Sequence, residues 1–267
     1  MTSAPADEVL HRIESGVSWI TLNRPEAMNA VTWDQRERVI TLLAEASADP
    51  ALRAVVLTAT GKGFCAGADL RGAPAAAGER VAGDVARMIR LGAQRLITAV
   101  LDCEKPVLAA VNGTAAGIGA HLALACDLVI AAEPARFIEV FVRRGLVPDG
   151  GGAYLLPRLV GPQKAKELMF FGDAVPAAEA ERLGLVNRVV PSEELEATAR
   201  EWAERLAQGP TRALALTKQL VNASLDGDRA AALAAEATAQ EINMTTADAN
   251  EGVASFVERR SPKYLGR

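Results

Sequence analysis

Three glycine-bearing segments carry the residues best suited to chemistry: 61–69 (GKGFCAGAD), 112–121 (NGTAAGIGAH) and 145–152 (GLVPDGGG). Each follows a strand-like or short apolar run, and glycine lets main chain approach a ligand closely. Unpaired N–H groups in such segments, near the start of a helix, would form an anion site. Taken singly, each segment also reads as a turn, Pro148-Asp149-Gly150 most clearly. Other chemistries find less support. GIGAHL has two glycines at the dinucleotide spacing but lacks the third, and NGTAA interrupts the strand before it. A P-loop, a GxSxG elbow and an HExxH pair are absent, and no Cys/His cluster suggests a metal. Cys65, Cys103 and Cys126 form no CxxC pair and are too scattered for a disulfide framework. A reducing cytoplasm is the setting they suggest.

The elements that must position these segments follow from apolar patterning. Residues 8–22 read as two strands around Glu14-Ser15-Gly16. Thr32 predicts the cap of a helix over about 33–47, with Gln35 completing part of a capping box. Apolar runs at 53–58, 107–111 and 128–131 predict buried strands. Helices are expected over about 80–101 and from Gly117 onward. The Gly/Ala/Pro-rich stretch 71–80 reads as mobile. After Pro162 the pattern is helical, with segments at 163–172, 177–184, 193–207, 211–223 and 229–247. Strand–helix alternation followed by helices alone predicts an α/β fold with mostly parallel pairing. The division falls near residue 195, giving an α/β core over 1–195 and a helical region over 196–267.

The composition agrees with a soluble globular chain. It has 267 residues, 50% hydrophobic and 23% charged, with a net charge of -4. No basic stripe recommends nucleic acid or an anionic membrane as partner. The N-terminus lacks a basic region followed by an apolar one, so a secretory signal is not expected. Residues 106–126 are long and nearly uncharged, but Asn112-Gly113 breaks them and Asp127 follows. A strand, a turn and a buried helix explain them better than a membrane span.

Five stretches, in order, resemble the enoyl-CoA hydratase/isomerase (crotonase) superfamily: ITLNRPEAMNAVT, VVLTATGKGFCAGADL, KPVLAAVNGTAAGIGAHLALACDLVIAA, GLVPDGGGAYLLPRLVG and the tail EGVASFVERRSPKYLGR. The resemblance implies a spiral of ββα units with a helical C-terminal region, assembled as a homotrimer or a dimer of trimers. It implies an acyl-CoA substrate and no separate cofactor. It assigns the N–H groups of Ala68, after Gly67, and Ile118, after Gly117, to an oxyanion hole for a thioester enolate. Two aimed donors there are worth on the order of 3 kcal/mol each. Lys62 and Ala66 match positions that touch the CoA nucleotide. Phe256 and Arg259 match tail positions that reach CoA, often from a neighbouring subunit. For Lys62 and Arg259 a solvated surface charge is an equal reading.

Hydratases of this family carry two glutamates, and the matching positions here hold His121 and Phe141. Asp149 instead matches the catalytic aspartate of related isomerases, with the ring-1,2-epoxyphenylacetyl-CoA isomerases as the nearest look-alikes. The resemblance therefore implies an enoyl-CoA isomerase, or a related ring-opening isomerisation, with Asp149 as acid/base. Hydration of a 2-enoyl-CoA by unusual groups, such as His121 with Asp149, is the alternative. An acyl-CoA-binding protein that has lost its catalytic acids is a third reading. His121 falls in the first turn of a helix, where it would assist proton transfer or serve only as packing. Glu139, two residues before Phe141, enters the site only if the local backbone departs from the family.

Overall fold

The computed structural model describes residues 8–69 and 82–267. The stretch 71–80, read above as mobile, lies outside them. Among the described residues, ten strands form two sheets. In chain order they are β1 (Val9–Glu14), β2 (Val17–Leu22), β3 (Ala54–Ala59), β4 (Gly63–Cys65) and β5 (Val107–Val111). Then come β6 (Thr114–Ala116), β7 (Leu128–Ala132), β8 (Arg136–Ile138), β9 (Ala174–Pro176) and β10 (Arg188–Val190). The large sheet has the order β1-β2-β3-β5-β7-β10 and the small one β4-β6-β8-β9. Among the described residues, β1–β2 and β8–β9 pair antiparallel and the other strand pairs run parallel. Successive pairs β3–β4, β5–β6 and β7–β8 each send their first strand to the large sheet and their second to the small one. That repeat winds the chain into a spiral.

Both faces of the large sheet are covered, which is why its strands read as continuous apolar runs. Along β3, Val55 and Leu57 enter one core while Ala54 and Val56 enter the other, as the two-residue side-chain period requires.

Helix α1 (Trp33–Ala48) begins with a complete capping box. Thr32 Oγ1 accepts from the Gln35 amide at 3.2 Å, and Gln35 Oε1 accepts from the Thr32 amide at 3.0 Å. The helix expected over 80–101 is observed from α2 (Asp84–Ile89) to α3 (Arg95–Leu101), joined by a π turn at Arg90–Gln94 in which Gly92 is buried. Next are α4 (Ile118–Leu124) and α5 (Gly152–Phe171). Helix α5 starts before the expected point at Pro162 and is broken at Gly161 (φ 77, ψ 160), where Pro162 removes a donor and restricts the residue preceding it.

α6 (Ala177–Arg182) precedes α7 (Leu195–Ala207), whose Leu195, Ala199, Ala203 and Ala207 cover the second face of the large sheet. The chain ends in α8 (Thr211–Ser224), α9 (Arg229–Asn243) and α10 (Ala247–Glu258). A single helix over 229–247 was expected. Instead α9 ends at Asn243, and Thr246 Oγ1 caps α10 by accepting from the Ala249 amide at 3.0 Å, the position where threonine competes best with a continuing helix. No helix among the described residues is long and apolar enough to cross a membrane. Residues 106–126 hold β5, β6 and α4, as the Asn112-Gly113 break implied.

Candidate active site

The first two glycine segments continue from adjacent small-sheet strands, and the third packs against Ile118. Strand β4 leads into 66–69, β6 into Gly117 and α4, and β8 into 139–141. Because β4, β6 and β8 run parallel, all three chain ends emerge on one edge, where open α/β sheets place ligands.

The first segment is held by one isolated parallel bridge between Val31 and Ala68. The Val31 amide donates to Gly67 O at 2.8 Å, and the Asp69 amide donates to Val31 O at 3.0 Å. Those bonds consume the groups on either side of Ala68. Its own amide points the other way and has no backbone acceptor among the described residues. Gly67 has φ +103, and a Cβ there would stand 3.0 Å from Ala116 O and 3.9 Å from the Ile118 nitrogen. Glycine is therefore required both by the backbone conformation and by the close approach of β6.

In the second segment the Gly117 amide donates to Ile138 O at 2.9 Å, and Gly117 O accepts from the His121 amide at 3.1 Å. The Ile118 amide, at the first position of α4, has no backbone acceptor among the described residues. Helix α4 presses directly on β4: a Cβ on Gly119 would meet Cys65 O at 2.2 Å. The amides of Ala68 and Ile118 thus lie at neighbouring strand ends, and neither has a hydrogen-bond acceptor among the described residues.

Part of this frame was not read from the sequence. Asn29 is fully buried at φ 54 and holds three main-chain groups. Its Oδ1 accepts from the Arg24 amide at 2.7 Å, and its Nδ2 donates to Thr60 O and Gly63 O, both at 2.8 Å. Arg24 donates to Ala30 O at 2.9 Å and to Asp69 Oδ2 at 3.1 Å. The NRPEAMN stretch, matched above as motif without a role, is the brace for the Ala68 loop. An asparagine at positive φ is the kind of signal that marks such a position.

The third segment brings Asp149 to the same edge. A Cβ on Gly150 would lie 3.2 Å from Ile118 Cγ1, and one on Gly151 would lie 3.4 Å from Ile97 Cγ2. The Asp149 loop therefore rests on Ile118 and on Ile97 of α3. Asp149 is half-buried. Burial pushes its carboxyl above the ordinary aspartate value, and the charge of His121 pulls it back down.

His121 is 1% exposed, and its Nε2 faces both oxygens of Glu139 at 3.0 and 3.2 Å. A carboxylate only accepts, so Nε2 carries the proton. The ring stacks on Phe141, with centroids 5.4 Å apart and planes 10° from parallel. His121 Nδ1 is buried without a hydrogen-bond partner. Glu139, given no role by the family motif, is thus inside the site, because β8 delivers it to the ring 18 positions earlier in sequence. Distance along the chain hid that pairing.

The remaining expected positions are placed more loosely. Lys62 is exposed beside the turn, and the Ala66 amide donates to Met28 O at 2.9 Å. Phe256 is 84% exposed and lines a groove of about 450 Å³ with Pro210, Ala213 and Tyr264. Arg259 ends α10 in the left-handed region. All three cysteines are free and buried, and burial pushes the Cys65 thiol up to about 12.

Comparison with known proteins decides the family. The chain matches the family described as enoyl-CoA hydratase/isomerase over residues 12–267. It belongs to that family. A Rhodobacter capsulatus protein named "Probable enoyl-CoA hydratase" is 42% identical, over 97% of this chain and 98% of its own. The 1,2-epoxyphenylacetyl-CoA isomerase of Escherichia coli is 37% identical over the same shares. A solved enoyl-CoA hydratase/isomerase from Cupriavidus metallidurans CH34 superposes with a TM-score of 0.90 at 38% identity, covering 96% of this chain and 95% of that one. The two-sheet spiral is accordingly the crotonase fold. Family membership makes an acyl-CoA the consistent substrate class, while the relatives' names divide between hydratase and isomerase.

Proposed function

We propose that this family member is an enoyl-CoA isomerase. The main-chain amides of Ala68 and Ile118 hold a thioester enolate, and Asp149 carries the proton. The observation that carries this reading is the half-buried Asp149 carboxyl on the loop that packs on Ile118, together with its raised proton affinity. In the reaction, Asp149 removes a proton from the α-carbon of a 3-enoyl thioester. The C–H electron pair moves into the enolate, whose oxygen accepts hydrogen bonds from the two amides. Asp149 returns the same proton to the γ-carbon, and the double bond shifts toward the carbonyl. One base suffices for this, and burial brings its affinity closer to working pH. Lys62 and Ala66 would contact the CoA nucleotide. Phe256 and Arg259 would reach it from a neighbouring subunit of a trimer.

The test is Asp149→Asn assayed on a 3-enoyl-CoA. A fall of about 10²–10⁴-fold in kcat is expected, and near-unchanged turnover would remove the role. Hydration is the second reading, favoured by the buried His121–Glu139 pair at the water-handling position and by the relatives named hydratases. Loss of thioester absorbance with crotonyl-CoA would support it. CoA binding without turnover of either thioester would leave only a binding protein.

A further inference from the structure

The reading above uses Ile118 only through its amide, a task open to any residue with an N–H. Its side chain is nonetheless buried, with the residue 7% exposed, and it faces the loop that carries Asp149. We propose that Ile118 is also a positioning residue: its side chain props the Asp149 loop and so sets the distance between that carboxylate and the thioester oxygen held by the Ile118 amide. This rests on the reading of Asp149 as the base.

The Asp149 loop has little of its own to hold it in place. Leu146 and Val147 before it are exposed, and Gly150, Gly151 and Gly152 after it bring no side chains. Glycine is the most permissive backbone, so the loop takes its position from what it leans on. At Gly150, the neighbour of Asp149, the three atoms nearest a Cβ position are Ile118 Cγ1 at 3.2 Å, Ile118 Cδ1 at 3.3 Å and Ala93 Cβ at 3.5 Å. Ala93 belongs to the π turn at Arg90–Gln94. Gly150 is thus seated between the start of α4 and that turn, with Ile118 supplying the closer contacts.

The prop is itself firm. Ile118 is the first residue of α4, and the Gly117 amide before it is bonded to Ile138 O at 2.9 Å. The Gly119 backbone after it lies so close to β4 that a Cβ there would meet Cys65 O at 2.2 Å. A β-branched side chain in a helix keeps one dominant χ1 rotamer, so Cγ1 and Cδ1 stay aimed at Gly150. Ile97 and His121 support the loop farther from Asp149, at Gly151 and Gly152, and neither contributes an amide to the enolate. Ile118 alone joins the two halves of the reaction: its main chain meets the oxygen and its side chain bears on the base. Proton transfer depends on that spacing, since a misplacement of about 1 Å can cost on the order of 10²-fold in rate.

The experiment compares wild type with Ile118→Val, Ile118→Ala, Gly150→Ala and the double variant Ile118→Ala/Gly150→Ala. Measured are kcat and KM on a 3-enoyl-CoA, and the infrared carbonyl band of bound butyryl-CoA. That band reports polarisation of the thioester by the two amides, independently of the base. Valine removes Cδ1, and alanine removes Cγ1 as well. Turnover should fall in two steps, reaching a loss of about 10–10²-fold in Ile118→Ala, while KM and the carbonyl band stay at their wild-type values. A side chain that only stabilises α4 would disturb the Ile118 amide when truncated. The band would then move and KM would rise along with the loss in kcat, which overturns the inference. So does a kcat within about twofold of wild type in Ile118→Ala. The mild step to valine leaves the fold intact, and wild-type kcat in Ile118→Val overturns the inference as well. In the double variant the new methyl at 150 enters the space vacated at 118. The strain of a side chain at φ +56 is common to both Gly150→Ala proteins and cancels in the cycle. The double variant should therefore be faster than the product of the two single losses implies, and losses that simply multiply overturn the inference. If Asp149→Asn retains full turnover, the base assignment fails. If Asp149→Asn is inactive and Ile118→Ala keeps wild-type kcat, this inference fails alone.

Discussion

Replacing Gly152 with alanine tests the packing that joins the Asp149 loop to the buried pair. Gly152 is the first residue of α5, and the added Cβ would lie 2.2 Å from His121 Nε2 and 2.3 Å from Cε1. Carbon needs about 3.5 Å or more from such atoms, so the ring must retreat by roughly 1 Å. Phe141 stacks on the ring and Glu139 holds Nε2. Retreat therefore breaks the bond to Glu139 or lifts the start of α5 together with Asp149. Leaving a buried carboxylate without its partner costs about 3–5 kcal/mol, and overpacking alone about 1–3 kcal/mol. Alanine returns at most about 1 kcal/mol through helix propensity. The steric effect wins, and a net loss of about 2–4 kcal/mol should appear in urea unfolding followed by circular dichroism. Gly227→Ala is the control: its Cβ would meet nothing closer than 3.5 Å, and it should stay within about 0.5 kcal/mol of wild type. A Gly152→Ala protein as stable as that control would refute the close packing of His121 against α5.

Two other outcomes follow from the frame. Asn29→Ala removes the side-chain acceptor and donors that serve three main-chain groups. It should cost about 2–4 kcal/mol and lower kcat more than it raises KM, since the Ala68 loop loses its brace; a melting temperature equal to wild type would contradict this. Asp149→Asn should melt slightly higher than wild type at neutral pH. Burial raises the folded carboxyl above its unfolded value, so the folded state gives up stability as pH rises through that raised value. The gain is under about 1 kcal/mol because the group is half-exposed and screened. It should vanish once the pH falls below the ordinary aspartate range, and a gain that persists there would refute the cause.

The parts of the fold that were legible in the sequence are those with a long, one-period signal. β3, β5 and β7 are buried on both faces and therefore appear as unbroken apolar runs. Thr32 and Gln35 announce α1 with a local hydrogen-bond motif. The small sheet left almost no trace. Each of its strands has three residues, too short for alternation to register, although those strands set the spacing of the site. The π turn at Arg90–Gln94 was hidden because one extra residue in a turn barely disturbs helical periodicity. The family motif points to Ala68, Ile118 and Asp149 because the backbone beside them demands glycine at Gly67, Gly117 and Gly150. Glu139 and Asn29 act on partners far along the chain, and no spacing rule encodes such a contact.

Hanging the chemistry on three-residue strands also limits how the molecule can change. Sliding β4, β6 or β8 by a single position would displace one reactive loop about 3.3 Å from its neighbours, farther than a hydrogen-bonding amide can tolerate. The broad sheet, by contrast, can trade one apolar side chain for another with little consequence at the opposite edge. The narrow layer is thereby the fixed ruler of this scaffold.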